Sequence, residues 1–353
     1  MPPTPAPGDT VLRASARPLV EEHDLVMLDL DGVVYVGEHA VPGAAEHLAG
    51  ARAAGASLAF VTNNASRTPD VVARHLTDLG VEAATDDVVT SAQAAARLVL
   101  ERHGGGARVL ALGGEGVHAA LAAEGLTTVG PEDGPDLLVT GYGRDVRWSE
   151  LMRAAVALVE GLPWIACNTD HTIPTPAGRA PGHGVQVRML ADFAGVEPVV
   201  AGKPSRPLLD ETVRRVGGRS PLMVGDRLDT DVDGALAVGV PSLLVLTGVT
   251  DLPVLAEAPA GGRPSYVSRD LRGLLVRHPA VEVDEGGAAR CGAWEAVVRD
   301  GRLDVRPGHG DDADPDDWWR AAATACWTHR DRTGAVAVTD PAAVPPAVRP
   351  RGR

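Results

Sequence analysis

One stretch constrains this chain more than any other. Val26-Met27-Leu28-Asp29-Leu30-Asp31-Gly32 is an apolar run that ends abruptly in two carboxylates and a glycine. Val26 to Leu30 reads as a strand buried on both faces and broken by aspartates where it runs out. Ligands of open parallel sheets bind outside the carboxyl ends of the strands. Asp29 and Asp31 stand two apart, and in extended chain they lean to the same side. A Mg²⁺ and phosphate site is therefore the first hypothesis.

The neighbouring sequence supplies the rest of such a sheet. Ala44 to Ala54 fits a helix closed by Gly55, and Ser57 to Val61 a second strand ending in Thr62-Asn63-Asn64. Thr68-Pro69 opens a helix that stops at Gly80, with a cap residue before Pro at the first position. Strand–helix–strand–helix over 25–80 is the signature of a parallel sheet. From about 89 to 197 a second α/β pattern runs, with strands at Val109–Leu112, Leu137–Thr140 and Trp164–Cys167. The Pro/Gly-rich stretch Pro174 to Gly184 then reads as a long functional or hinge loop. The first pattern resumes near 199, with strands at Leu222–Val224 and Leu243–Leu246, and closes with a helical Leu271 to Val276.

The expected architecture is α/β: a Rossmann-like parallel-sheet core, an inserted α/β cap and a small C-terminal α+β unit. Its boundaries read as a disordered segment at 1–20, a discontinuous core at 21–88 and 199–277, a cap at 89–198, a C-terminal domain at 278–340 and a disordered tail at 341–353. Four of the six tryptophans fall in the last part, where a helix carrying Trp318, Trp319 and Trp327 follows the acidic run Asp311 to Asp317 and suggests a separate aromatic core.

Hydrophobic residues make up 44%, enough for full cores. The net charge of −14 is a poor surface for nucleic acid or an anionic membrane. It does not oppose a small phosphate ester, because one Mg²⁺ and one Lys can reverse the local field. Cys167, Cys291 and Cys326 have neither disulfide-framework nor zinc spacing, and with no signal peptide they suggest the cytoplasm.

Each candidate site residue has a bland alternative. Further Asp-x-Asp pairs occur at Asp229/Asp231 and Asp312/Asp314, and such pairs are usually solvated turns. Asp29/Asp31 differs in ending a buried strand, where uncompensated charge is costly and a metal is a natural partner. Thr62-Asn63-Asn64 offers a hydroxyl and backbone N–H groups to phosphate oxygens, against an ordinary Asn-rich turn. Lys203, in Gly202-Lys203-Pro204, could be a point charge on phosphate, against a snorkelling surface lysine. Gly225-Asp226-Arg227-Leu228-Asp229-Thr230-Asp231 follows an apolar run, and Asp226 with Asp29 would suffice for Mg²⁺. Asp229 to Gly234 imitates the first half of an EF-hand loop, but Val240 stands where a bidentate Glu is needed. Gly113-Gly114-Glu115-Gly116 reads as a tight strand-to-helix turn rather than a nucleotide loop, and His171 and His183 as loop residues.

DLDGVVY from Asp29, VTNNASRT from Val61, AGKPS from Ala201 and VGDRLDTDVDGA from Val224, in this order, resemble the motifs of the haloacid dehalogenase-like phosphatase superfamily. The insertion between Thr62 and Lys203 is similar to that of the subfamily of p-nitrophenyl phosphatases, phosphoglycolate phosphatases and NagD-type nucleotidases. The chain also resembles actinobacterial glycerol-3-phosphate phosphatases, which carry a comparable extra C-terminal unit. The resemblance covers roughly 22–277 and implies a Mg²⁺-dependent phosphomonoesterase. Asp29 would be the nucleophile and Asp31 the acid/base. Thr62, Asn63, Asn64 and Lys203 would bind phosphate. Asp29, Asp31 (through its carbonyl) and Asp226 would hold Mg²⁺, with Asp231 in support.

The implied partner is a small phosphate ester, glycerol 3-phosphate or phosphoglycolate before nucleotides or sugar phosphates. Neither nucleic acid nor membrane is expected, and a homodimer stays open. Ile173 occupies the place of a substrate-contacting His found in some eukaryotic members, which argues against that recognition mode. A phospho-acceptor receiver shares the acidic pocket, Thr and Lys, but lacks both the second carboxylate and the large insertion.

Overall fold

A computed structural model describes residues 11–175, 178–308 and 314–350. The chain divides into two compact units, Met1–Leu58 with Gly218–Arg353, and Ala59–Gly217.

In the first unit the strands Tyr266–Ser268, Ser242–Val245, Pro221–Gly225 and Leu25–Leu28 lie side by side in that order, all parallel. Leu25–Leu28 is buried at every position, as a run without polar alternation requires when both faces are covered. It pairs from Leu25↔Pro221 to Leu28↔Val224, so Asp29 and Asp226 follow the carboxyl ends of neighbouring strands. Leu25–Leu28 is shorter than expected, and the two aspartates lie in the turn after it. The same-side argument for Asp29 and Asp31 therefore does not apply: Asp29 is half-buried and Asp31 exposed. Leu271–Leu274 is a single 3₁₀ turn rather than an α-helix.

The C-terminal residues form a four-stranded antiparallel sheet, Glu282–Val283, Ala289–Cys291, Trp294–Arg299 and Arg302–Pro307, followed by the helix Pro315–Thr333. The expected α+β character is there, but the separate aromatic core is not. Trp318, Trp319 and Trp327 share one cluster with Leu244 and Val267 of the parallel sheet and with Leu246 just after its strand. The Trp327 indole N–H donates to the Leu255 carbonyl at 2.8 Å, and the Arg263 guanidinium lies 5.2 Å from the Trp327 ring centre. A helix this apolar cannot be covered by a thin four-stranded sheet alone, and it buries its large rings against the nearest apolar layer. Asp316 and Asp317, read as part of an acidic loop, are instead buried in the first helical turn, while 311–313 lie outside the described residues. Asp316 accepts from Ser268 Oγ at 2.7 Å and Arg269 Nε at 2.9 Å, and Arg320 donates to Asp317 at 2.6 Å.

Both terminal segments need correction where they are described. Leu12 and Leu19 are buried, and Arg13 N donates to the Ser265 carbonyl, so 11–20 is not a free leader. Residues 1–10 lie outside the described residues. Val348 is buried, and its carbonyl accepts from the Trp319 indole at 2.8 Å.

In the second unit Ser57–Thr62, which straddles the unit boundary, pairs in parallel with Val88–Thr90 from Phe60↔Val88 to Thr62↔Thr90. A five-stranded parallel sheet runs in the order Val199–Val200, Trp164–Ala166, Leu137–Thr140, Arg108–Leu112, Thr127–Thr128. The helix Ser91–His103 starts with a capping box, in which Thr90 Oγ1 accepts from Gln93 N and Gln93 Oε1 from Thr90 N. The stretch read as a long loop is a hairpin, Thr172–Thr175 with Gly178–Pro181, followed directly by the helix His183–Ala194.

Candidate active site

The sequence-predicted residues fall into two groups, one in each unit. In the first unit Asp29, Asp226 and Asp231 each bring a carboxylate oxygen within 4.8 Å of the others. Asp226 and Asp231 are almost wholly buried, at 0% and 1% exposure. Asp226 Oδ2 accepts from Val249 N at 2.5 Å, and its carbonyl accepts from Thr250 Oγ1 at 2.6 Å. Asp231 Oδ2 accepts from the backbone N–H groups of Asp226 and Arg227 at 3.2 and 3.1 Å. These bonds set the angle between the two carboxylates before any ligand arrives. The Asp229–Gly234 run that imitates a calcium loop is the turn Leu228–Val232 leading into the helix Asp233–Val238.

Glycines make room for this cluster. A Cβ on Gly248 or on Gly32 would strike the Asp226 carboxylate, and one on Gly225 would strike Asp231. Gly32 also has φ +86°, a left-handed conformation costly for other residues. Its carbonyl accepts from Thr247 Oγ1 at 2.5 Å, tying the turn after Asp31 to the turn after Ser242–Val245. Three converging carboxylates repel one another, and an all-oxygen donor set suits a hard divalent cation such as Mg²⁺. Asp31, two residues after Asp29, is exposed.

In the second unit Thr62 ends its strand, buried, and its Oγ1 accepts from Asn64 N at 3.1 Å. Asn64 Oδ1 accepts from Ser66 N and Ser66 Oγ at 2.9 and 2.7 Å, so its side-chain oxygen serves the turn. Lys203 is 1% exposed, which removes the snorkelling alternative. Its backbone is bracketed by one side chain: Asn63 Oδ1 accepts from Lys203 N at 2.8 Å, and Asn63 Nδ2 donates to the Lys203 carbonyl at 3.0 Å. The same Nδ2 donates to Asp170 Oδ1 at 3.1 Å.

Sequence reasoning missed several residues around these groups. Asn168 Nδ2 and Ser91 Oγ both donate to the Asn63 carbonyl, at 2.6 Å each. His183, read as a loop residue, is 2% exposed with Nδ1 2.8 Å from the Asn168 carbonyl. Burial pulls its pKa down to about 4, against a weaker upward pull from that bond, so the ring is neutral near pH 7. The available signal was the glycines. Gly182, Gly184 and Gly202 lie where a Cβ would strike the backbone of Asp170, Thr169 and Cys167 respectively. The run at Gly113–Gly116 is likewise a packing device, with Gly116 pressed on the carbonyls of Ala65 and Arg67.

Family models match two stretches of the chain. A model of haloacid dehalogenase-like hydrolases matches residues 26–127, and a HAD-hydrolase-like model matches 200–274. The D-glycerol 3-phosphate phosphatase of Mycobacterium tuberculosis is 44% identical over 282 residues, 77% of this chain and 79% of the relative. An acid sugar phosphatase of Staphylococcus saprophyticus is 32% identical over 258 residues, 72% of this chain and 98% of the relative. The crystal structure of the M. tuberculosis glycerol phosphate phosphatase in complex with magnesium superposes with a TM-score of 0.79 at 42% identity, covering 89% of this chain and 93% of that one. The chain belongs to the haloacid dehalogenase-like hydrolases and is a phosphatase of that family.

Proposed function

We propose that this phosphatase hydrolyses the monoester of a small metabolite, glycerol 3-phosphate before phosphoglycolate, through an aspartyl-phosphate on Asp29 and with Mg²⁺ as cofactor. The observation that carries the substrate reading is the 44% identity to a D-glycerol 3-phosphate phosphatase. The acidic cluster supports the cofactor: Asp29 and Asp226 would hold the ion with the Asp31 carbonyl, and Asp231 would support it.

Asp29 attacks phosphorus as its bond to the leaving oxygen breaks, which splits one hard displacement into two easier ones. Asp31 gives its proton to the departing alkoxide. It then takes a proton from the water that attacks the aspartyl-phosphate, releasing inorganic phosphate and restoring Asp29. Its exposure allows proton exchange with solvent between the two steps. The Thr62 hydroxyl, the Lys203 ammonium and the N–H group at Asn63 hold the phosphoryl oxygens, while the Asn64 N–H serves Thr62 Oγ1 and steadies the turn. When bound, Mg²⁺ neutralises the charge developing on those oxygens.

A sugar phosphate is the second reading, favoured by the likeness to an acid sugar phosphatase over 98% of its length. A phosphate-release screen over glycerol 3-phosphate, phosphoglycolate, sugar phosphates and nucleotides, with and without Mg²⁺, decides between them. Fastest turnover of glycerol 3-phosphate, lost on chelation and restored by Mg²⁺, is the expected result. Preference for a hexose phosphate overturns the substrate, and full activity in chelator overturns the cofactor.

A further inference from the structure

Asn63 reads as a phosphate ligand by resemblance, yet its side chain has little capacity left for one. Both hydrogens of its amide are taken, by Asp170 Oδ1 and the Lys203 carbonyl, and its oxygen accepts from Lys203 N. Behind it stands a second layer. Asn168 Nδ2 holds the Asn63 carbonyl, Asn168 Oδ1 accepts from Asp170 N at 3.1 Å, and His183 meets the Asn168 carbonyl. A carbonyl only accepts, so His183 Nδ1 carries the proton, and the low pKa keeps the ring neutral. Gly182, Gly184 and Gly202 let the three backbone segments approach as closely as these bonds demand.

We infer that His183, Asn168 and Asp170 are positioning residues, which act through the Asn63 side chain to fix the backbone of Lys203 and the end of the strand carrying Thr62. This rests on the reading in which Lys203 and Thr62 hold the phosphoryl group. An ammonium on a four-carbon stem is a mobile charge, and its value in a transition state depends on where its backbone is pinned. Buried amide networks give that rigidity, and here Asn63, Asn168 and Asp170 are bonded into one, while His183 Nε2 stands buried without a partner among the described residues. None of these residues touches the reacting atoms in this scheme, so their loss should slow turnover more than it weakens substrate binding.

The test uses the full chain and whichever substrate scores highest in the release screen. Asp170→Ala is expected to lower kcat about tenfold or more. KM should stay within about threefold, and the melting temperature within about 3 °C, because Asp170 is half-buried rather than in the core. Asp170→Asn keeps an acceptor oxygen for Asn63 and is expected to recover most of the rate. His183→Ala should act like Asp170→Ala, and His183→Asn, whose amide can donate to the Asn168 carbonyl, should recover the rate. Parent activity in Asp170→Ala, or a loss that Asp170→Asn does not repair, overturns the inference, and the Asp170 pair decides if His183→Ala does not fold. Lys203→Ala in the same assay separates the two levels. If it is active, the functional reading fails; if it is inactive while Asp170→Ala is active, only the positioning role fails.

Discussion

Asp29 and Asp226 reach their places as the residues that follow two neighbouring parallel strands, whereas Asn63 and Lys203 are held by side chains from three separate stretches of the second unit. The acidic group is preset by backbone N–H donors and by glycines that stand aside, and its like charges leave it calling for a cation. The amide group is neutral apart from Lys203 and Asp170, and its amides bond to one another and to the backbone. The difference teaches that the first group is arranged by the backbone around a place for an ion, while the second is a frame of side chains that holds a charge in place.

The largest effect should come from the acidic side. Asp29→Asn is expected to cut kcat at least about 10⁴-fold in a phosphate-release assay. Turnover within tenfold of the parent would mean that the chemistry does not start in the acidic group.

Next is the support beneath that group. Trp327→Ala should cost about 3–5 kcal/mol, read as a shift of the urea midpoint, because the ring fills the cluster shared with Leu244 and Val267. A negligible shift would make the C-terminal helix an appendage and the first unit self-sufficient.

The amide frame has its own signature in pH. The His183 pKa is lowered in the folded chain, from 6.5 to about 4, so the unfolded chain takes up its proton first as pH falls. Stability is therefore full above pH 6.5 and declines as pH drops towards 4, by up to about 3 kcal/mol from this residue. Urea midpoints of the parent and of His183→Asn at pH 7.5 and 5 measure it. An equal decline in both proteins would remove His183 from the account.

The smallest effect concerns space alone. Gly248→Ala should raise the Mg²⁺ concentration needed for half activity by about 10–100-fold, since the added methyl meets the Asp226 carboxylate. An unchanged requirement would show that the cluster adapts rather than being preset.

The acidic group was legible because its members are marked locally: an apolar run turning into carboxylates at Asp29 and again at Asp226 is visible in a single window. The amide frame was not. Asn63 lies 107 residues from Asp170 and 140 from Lys203, and polar loop residues carry no periodicity to show which of them meet. His183 looked like a loop histidine because Pro174 to Gly184 is rich in breakers, yet a hairpin and a helix start use the same residues. In the C-terminal part the helix with its tryptophans was readable from its pattern, but not the surface it would bury.

The strands and helices that frame the acidic group, the strand-end aspartates and the family motifs follow from the sequence by itself, because burial and backbone hydrogen bonding act over a few residues and leave a local imprint. Tertiary structure alone decided that Lys203 is buried, that one asparagine brackets its backbone and that the last tryptophans complete the first unit's core. Those outcomes depend on which distant surfaces meet, and an apolar face or an amide states what it needs without naming its partner.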